Sequence, residues 1–316
     1  MSISSPVKGI MGACLTPFDA EGRVKYDALQ REIDFIVPDV DAITIGAVEA
    51  AEYTMLSLNE RKELLRVGTE MVGKRVPVIL GASSPALRGV AELAEFAADV
   101  EADLIQVLMP LRPWGGQPTT DELVEYYAAV TSASPLPVVA YHNPGPGADP
   151  PIEALVSLSE LDGVRYFKES SRDITKISRL IAEIELSDNA HYFTTMQPLL
   201  ITLMMGGSGA TMPPPGTRIG AEVVRAFHAG DLERAKHWQQ IFSLFPARWR
   251  AYGLAPVMKS AMKHFGVDLG DPAPPYRPVT STDHDQIGWF LHQVGLFEND
   301  RAPGVSFSEV VANLDA

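Results

Sequence analysis

Cysteine is almost missing from this chain of 316 residues: Cys14 stands alone, which excludes an internal disulfide, a zinc ribbon and a CxxC redox pair. A reducing, cytoplasmic setting is expected. Positive charge is scarce as well. Lys and Arg number 26 against 40 Asp and Glu, a net charge of −14, and a surface that acidic repels phosphate backbones and anionic lipid. Neither nucleic acid nor membrane is expected as the main partner. Long apolar runs are lacking: Ile10 to Leu15 is broken by Gly12, and nothing later reaches the ~18 residues of a membrane span. The seven histidines show no HxxxH or HxH spacing, so no metal is expected. At 46% hydrophobic residues the chain has enough apolar mass for a large core, and small-molecule chemistry is what remains.

Eight short apolar runs have the composition of strands: Gly9 to Thr16, Asp41 to Gly46, Val76 to Gly81, Asp103 to Met109, Pro137 to His142, Val164 to Lys168, His191 to Thr195 and Ser208 to Met212. Most intervening segments carry apolar residues at three-to-four spacing, most clearly Leu58 to Met71 and Ala86 to Ala98. Strand then helix, repeated, predicts a (β/α)8 TIM barrel. A doubly wound open sheet fits less well, because Thr16-Pro17-Phe18 stands where its Gly-rich first turn belongs. Further helices over Ala221 to His228, Leu232 to Phe245, Ala255 to Phe265 and near Asp285 to Val294 predict a helical C-terminal extension, with the barrel over 1–230 and the extension over 231–316. Asp271 to Tyr276 and Arg301 to Val305 read as loops.

Chemistry in such a barrel sits where strands end, so polar residues at those ends are the candidates. Lys168 closes an apolar strand, and alternation puts it on the face of Tyr166 and opposite Glu169. If that face is the barrel interior, the amine is desolvated and its pKa falls, as an imine-forming lysine requires; otherwise it is a solvated strand-end lysine. Tyr141 ends the preceding strand with the same parity, where a phenol can relay protons beside such an amine, or serve as a core aromatic. Gly206-Gly207-Ser208-Gly209 precedes a strand and reads as a tight turn, since phosphate cradles open helices. Pro213-Pro214-Pro215 have no N–H to offer, so a phosphorylated substrate is not expected.

Tyr141-His142-Asn143-Pro144, followed by Phe167-Lys168-Glu169-Ser170-Ser171, resembles the paired signatures of the dihydrodipicolinate synthase and N-acetylneuraminate lyase family. Ala13-Cys14-Leu15-Thr16-Pro17-Phe18, Pro77 to Gly81, Gly206 to Gly209 and Ala255-Pro256-Val257 with Lys259 extend the likeness over roughly residues 9 to 280. The resemblance implies a barrel with helical extension, an imine between Lys168 and pyruvate or another 2-oxo acid, an aldehyde partner, no cofactor or metal, and a homo-oligomer, dimer or tetramer.

Departures from that pattern bear on substrate. Where the family carries a hydroxyl pair after the second strand, Val48-Glu49-Ala50-Ala51-Glu52 stands here. The backbone of Ala50 and Ala51 is then the candidate carboxylate holder, and Glu49 either reads a substrate hydroxyl or points to solvent. The fourth-strand loop has Arg112 and Trp114 in place of the family's tyrosine, and Gly145-Pro146-Gly147 replaces the arginine of the synthases. Arg112 is a candidate carboxylate clamp. Thr194 and Thr211, at the ends of the seventh and eighth strands, complete the substrate-binding set. The expected activity is that of a class I lyase performing aldol cleavage or condensation on a 2-oxo acid. Sugar-acid dehydration through the same imine, 4-hydroxy-tetrahydrodipicolinate synthase activity and a non-catalytic ligand-binding barrel stay open as alternatives.

Overall fold

A computed structural model describes residues 5–297 and 307–314. Eight parallel strands close into a barrel in sequence order: β1 (Gly9–Ala13), β2 (Ala42–Ile45), β3 (Val78–Gly81), β4 (Leu104–Leu108), β5 (Val138–His142), β6 (Val164–Glu169), β7 (His191–Thr194) and β8 (Gly209–Met212), with β8 paired back to β1. Each falls within its expected apolar run or within one residue of it. The helices between them are α1 (Tyr26–Ile36), α2 (Leu58–Val72), α3 (Leu87–Asp99), α4 (Thr120–Ala133), α5 (Ile152–Ser159), α6 (Ile174–Leu180) and α7 (Leu199–Met204). After β8 come α8 (Gly216–His228), α9 (Leu232–Ile241), α10 (Leu254–Lys263), α11 (Ser281–Gln293) and α12 (Phe307–Leu314). The last of these was not anticipated, and the loop expected over Arg301 to Val305 lies outside the described residues.

Alternation along the strands fills the barrel. Met11, Ala42, Ile79, Leu104, Val139, Tyr166 and Phe193, one from each of the first seven strands, join Val7 in an interior layer. The eighth strand contributes Gly209 instead. A Cβ there would stand 1.8 Å from the Gly9 carbonyl oxygen, so the Gly206–Gly209 turn is a steric necessity of strand packing. At the other end of the barrel, a Cβ at Gly81 would come within 1.8 Å of the Gly46 carbonyl oxygen, and Gly46 itself has φ of 58°. That close approach sets where the loop after β2 departs.

The extension shares one apolar core with the β1 and β8 side of the barrel, in which Ile10, Met212, Ile219, Trp238, Phe245, Val257 and Phe290 are all buried. The Asp283-His284-Asp285 stretch is a helix start: the Thr280 hydroxyl accepts the Asp283 N–H of α11 at 3.2 Å. Among the described residues no helix is long and apolar enough to cross a membrane, and no group of three or more His, Cys, Asp or Glu is arranged to hold a metal ion.

One buried carboxyl ties the first loop to α1. Glu32 accepts the Leu15 N–H at 2.7 Å through one oxygen, and its other oxygen is buried without a partner. Burial raises its pKa from 4.5 to about 8, against the lowering pull of the Leu15 hydrogen bond and of Lys259. The folded chain therefore keeps a proton that the unfolded chain gives up, and this contribution to stability, full below pH 4.5, is lost as pH rises through 8. Glu32→Gln keeps an oxygen for Leu15 and cannot ionise. Urea midpoints for the two proteins should match at or below pH 4.5, diverge in favour of the variant between pH 4.5 and 8 by up to about 1.4 kcal/mol per pH unit, and keep a constant gap above pH 8. Parallel curves would show that Glu32 does not titrate there.

Candidate active site

Strand pairing aligns Tyr141 of β5 with Lys168 of β6, both on the inward parity. Their side chains rise above the interior layer at the C-terminal end of the barrel, where a cavity of about 200 Å³ is lined by Ala13, Val48, Glu49, Ala50, Tyr141, Asn143, Lys168, Ser170, Arg172, Thr195, Met196, Thr211, Met212, Pro213 and Leu254. A larger hollow of about 690 Å³ lies at the opposite end around Tyr166, Glu185 and His191. The smaller one holds the buried amine and the ends of the strands, which is where barrel chemistry is done.

Lys168 is only 4% exposed, and its Nζ sits 3.9 Å from the centroid of the Tyr141 ring. Among the described residues no carboxylate is hydrogen-bonded to it. Desolvation lowers its pKa from 10.5 to about 8; Glu49 and Glu169 pull the other way, while Arg172 adds to the lowering. The interior strand face thus does to this amine what a nucleophile needs.

The Tyr141 hydroxyl donates to Glu49 Oε2 at 2.5 Å, and Asn143 Nδ2 donates to the same oxygen at 2.7 Å and to the tyrosine oxygen at 2.9 Å. Burial first, and Glu49 second, push the Tyr141 pKa well above 10, so the group stays a phenol. Glu49 Oε1 is buried and has no partner. The loop that presents this carboxylate is pinned by Gln106, whose Nε2 donates to the Ala47 carbonyl at 2.7 Å. It is pinned again by Glu52, which pairs with Lys259 of α10 at 2.6 Å and accepts the Ala273 N–H at 2.7 Å.

Glu169 faces outward, as its parity requires. It accepts from the Tyr192 hydroxyl at 3.2 Å and from the Ser171 N–H at 2.5 Å, and contacts His142 Nδ1 at 3.1 Å. Burial would raise its pKa, but those hydrogen bonds from His142 and Ser171 hold it below the ordinary value.

Of the residues picked out from sequence, Lys168, Tyr141, Glu49, Ala50 and Thr211 meet in the cavity. Three others do not. Ala51 turns its N–H to the Val48 carbonyl at 2.9 Å and its own carbonyl to the Thr16 hydroxyl, which leaves it nothing to bind a carboxylate with. Thr194 lies on the outward parity of β7, buried, and Thr195 lines the cavity instead. Arg112 is paired with Glu122 at 2.7 Å and lies 5.9 Å over the ring of Trp114, which is 78% exposed; the local carboxylate of the α4 capping box outcompetes the site. Asn143, two residues beyond Tyr141 and on the same parity, was legible as a site residue and was not assigned. Arg172, Met196 and Leu254 come from irregular loops and the extension, where no periodicity marks direction.

The profile of the dihydrodipicolinate synthetase family matches residues 6–294. The chain is similar to the 4-hydroxy-tetrahydrodipicolinate synthase of Acidovorax sp., 29% identical over 307 residues, 93% of this chain and 99% of that one. The enzyme of the same name from Methanosarcina barkeri is 27% identical over 299 residues, covering 92% and 99%. Among solved structures, a dihydrodipicolinate synthetase candidate from Pseudomonas aeruginosa superposes with a TM-score of 0.83 at 26% identity over 91% of this chain and 99% of that one. N-acetylneuraminate lyase from Mycoplasma synoviae shares the fold, with a TM-score of 0.77 at 22% identity, covering 90% and 96%.

The depressed pKa makes Lys168 distinguishable from every exposed lysine. With a pKa of about 8, about one amine in ten is free at pH 7, against about one in 2,500 for an ordinary lysine. Carbamylation by cyanate, mapped by peptide mass, should therefore be fastest at Lys168 near pH 7 and level off above pH 8, while Lys74 continues to climb. Glu49→Gln removes a carboxylate that opposes the lowering, so the Lys168 midpoint should move down further. A Lys168 profile that tracks Lys74 would contradict this account.

Proposed function

The chain belongs to the dihydrodipicolinate synthetase family and is a lyase of it, and on that premise we propose that it cleaves or forms a carbon–carbon bond of a 2-oxo acid through an imine on Lys168. The observation that carries the reading is the buried Lys168 amine, poised to deprotonate, against a tyrosine whose hydroxyl is already engaged by a carboxylate in the same cavity.

The free amine attacks the 2-oxo carbon, and loss of water leaves a protonated imine that serves as an electron sink. In the cleavage direction the bond between C3 and C4 breaks, and its electron pair moves toward the imine nitrogen to give an enamine. The C4 hydroxyl becomes the aldehyde as its proton passes to the Tyr141 oxygen, while the Tyr141 proton passes to Glu49. Tyr141 thus relays without ever becoming a phenolate, which suits a phenol whose pKa lies well above 10. Protonation of the enamine at C3 and hydrolysis of the imine release pyruvate or its homologue and restore Lys168. Condensation is the same sequence reversed. The Ala50 N–H is the candidate contact for the 2-oxo acid carboxylate, with Thr211 at the floor.

A second reading, dehydration of a sugar-derived 2-oxo acid through the same imine, draws on Glu49. Its unpartnered Oε1 is a carboxylate oxygen available to take a proton from C3. An aldehyde among the products marks the first reading, and retention of all carbons marks the second. We also take the working form to be a homo-oligomer, dimer or tetramer. Met55, Leu58, Leu87 and Trp114 are exposed apolar residues that follow β2, β3 and β4, neighbouring strands on one sector of the barrel.

Pyruvate with borohydride should add covalently at Lys168, read by intact mass and peptide mapping, and an adduct at another lysine or none across a panel of 2-oxo acids would sink the proposal. Tyr141→Phe should lower turnover about 10²-fold, the usual worth of a placed acid–base group, with the fold unchanged. With aspartate semialdehyde as acceptor the protein should be much slower than a genuine synthase, since Pro146 and Glu49 replace the groups that reaction relies on. Light scattering should give twice or four times the chain mass of 34.3 kDa; a monomer would refute the assembly.

A further inference from the structure

Arg172 has a backbone that an arginine adopts only at a cost. Its φ is 64°, in the left-handed region where a side chain is strained by about 1 kcal/mol relative to glycine. It nonetheless lines the cavity, and its guanidinium is fastened at two points: Nε donates to Gln197 Oε1 at 3.0 Å and Nη1 to the Ser170 carbonyl at 3.1 Å. Neither partner is a carboxylate, so its charge is not neutralised by the residues that hold it. Nη2 has no partner among the described residues. The residue is exposed, at the mouth of the cavity, whereas Lys168 is at the bottom. Glu49, whose Oε1 is buried without a partner, lines the same cavity.

We propose that Arg172 is the anchor for a carboxylate at the far end of the substrate, so that the 2-oxo acid worked on here is acid-terminated and the aldehyde it yields or accepts carries its own carboxylate. This rests on the imine reading above. The carboxylate next to the 2-oxo carbon must stay beside Lys168, where Ala13, Ala50 and Thr211 form the wall; it does not reach the mouth. Arg172 lines the same cavity as Lys168 and is exposed, so a chain extended from the imine carbon toward the opening has this fixed guanidinium, with its free N–H, as a cationic contact. A positive group held by neutral partners at the open end selects an anion there, and a planar fork selects a carboxylate. Sequence alone pointed to Arg112 for this kind of clamp, but Arg112 is spent on Glu122.

The test compares aldehyde acceptors of similar length with and without a carboxylate, glyoxylate against glycolaldehyde and succinic semialdehyde against butanal, each with pyruvate as donor. Wild type should prefer the acid in each pair. Arg172→Gly, whose backbone suits a φ of 64°, should fold at least as stably and should lower the acid-to-neutral ratio of kcat/KM about 10- to 100-fold, mainly through KM for the acid. Arg172→Lys should recover part of the ratio, since charge is kept and the fork is lost. An unchanged ratio in Arg172→Gly, with both acceptors slowed equally or neither affected, overturns the anchor and leaves Arg172 as a brace between loops. Borohydride trapping of pyruvate by the wild type is run first: no adduct defeats the imine reading and this inference with it, whereas an adduct with an unchanged ratio defeats this inference alone.

Discussion

The site depends on keeping an ammonium group out of water without giving it a counter-ion. Lys168 is almost wholly buried, and its Nζ lies 3.9 Å from the centroid of the Tyr141 ring, with no carboxylate hydrogen-bonded to it among the described residues. A direct ion pair would have held the proton on and disarmed the amine. Instead Glu49 is drawn aside by two donors, Tyr141 and Asn143, so that it acts on Lys168 only at a distance. The cost of desolvating the amine is borne by the barrel as a whole: the interior layer beneath it, the parallel pairing of β5 with β6, and the closure of β8 on β1 through glycines all serve to hold that one side chain in place.

The same geometry explains how a carboxylate can occupy a position where the sequence resemblance implies hydroxyls. A glutamate placed freely in the cavity would repel a 2-oxo acid. Tied to a phenol and an amide, its Oε2 has its charge met by two donors, the Tyr141 hydroxyl and the Asn143 amide. Its two oxygens are therefore unlike: one is saturated by the protein, the other is left for whatever enters.

Much of this was legible before any coordinates. Strand positions followed from apolar runs, and the inward direction of Tyr141 and Lys168 followed from alternation alone, because a period of two is rigid once a strand is recognised. Parity also assigns Thr194 to the outside, although it was picked as a strand-end residue without that test. Legibility ended where regular structure ended. Arg112 resembled a clamp in sequence because the distance to Glu122, ten residues on, is invisible in a loop; Ala51 resembled a carboxylate holder because nothing signals that a short helical turn takes its N–H. Arg172 sits one residue before the Asp173 cap of α6 and has no pattern to betray its direction. Leu254 belongs to a helix more than eighty residues beyond Lys168, and only packing brings it into the wall.

The ion pair between Glu52 and Lys259 spans more than two hundred residues, and Ala273 adds a second tie from still later in the chain. The loop that carries Glu49 is thus made early and fastened late. During synthesis the eight strands can all have emerged while that loop still lacks its anchor and the cavity still lacks the wall that Leu254 supplies. A barrel without those later segments would hold Lys168 but lack the loop anchor and the wall that Leu254 supplies, so the setting of the amine depends on residues far along the chain from it.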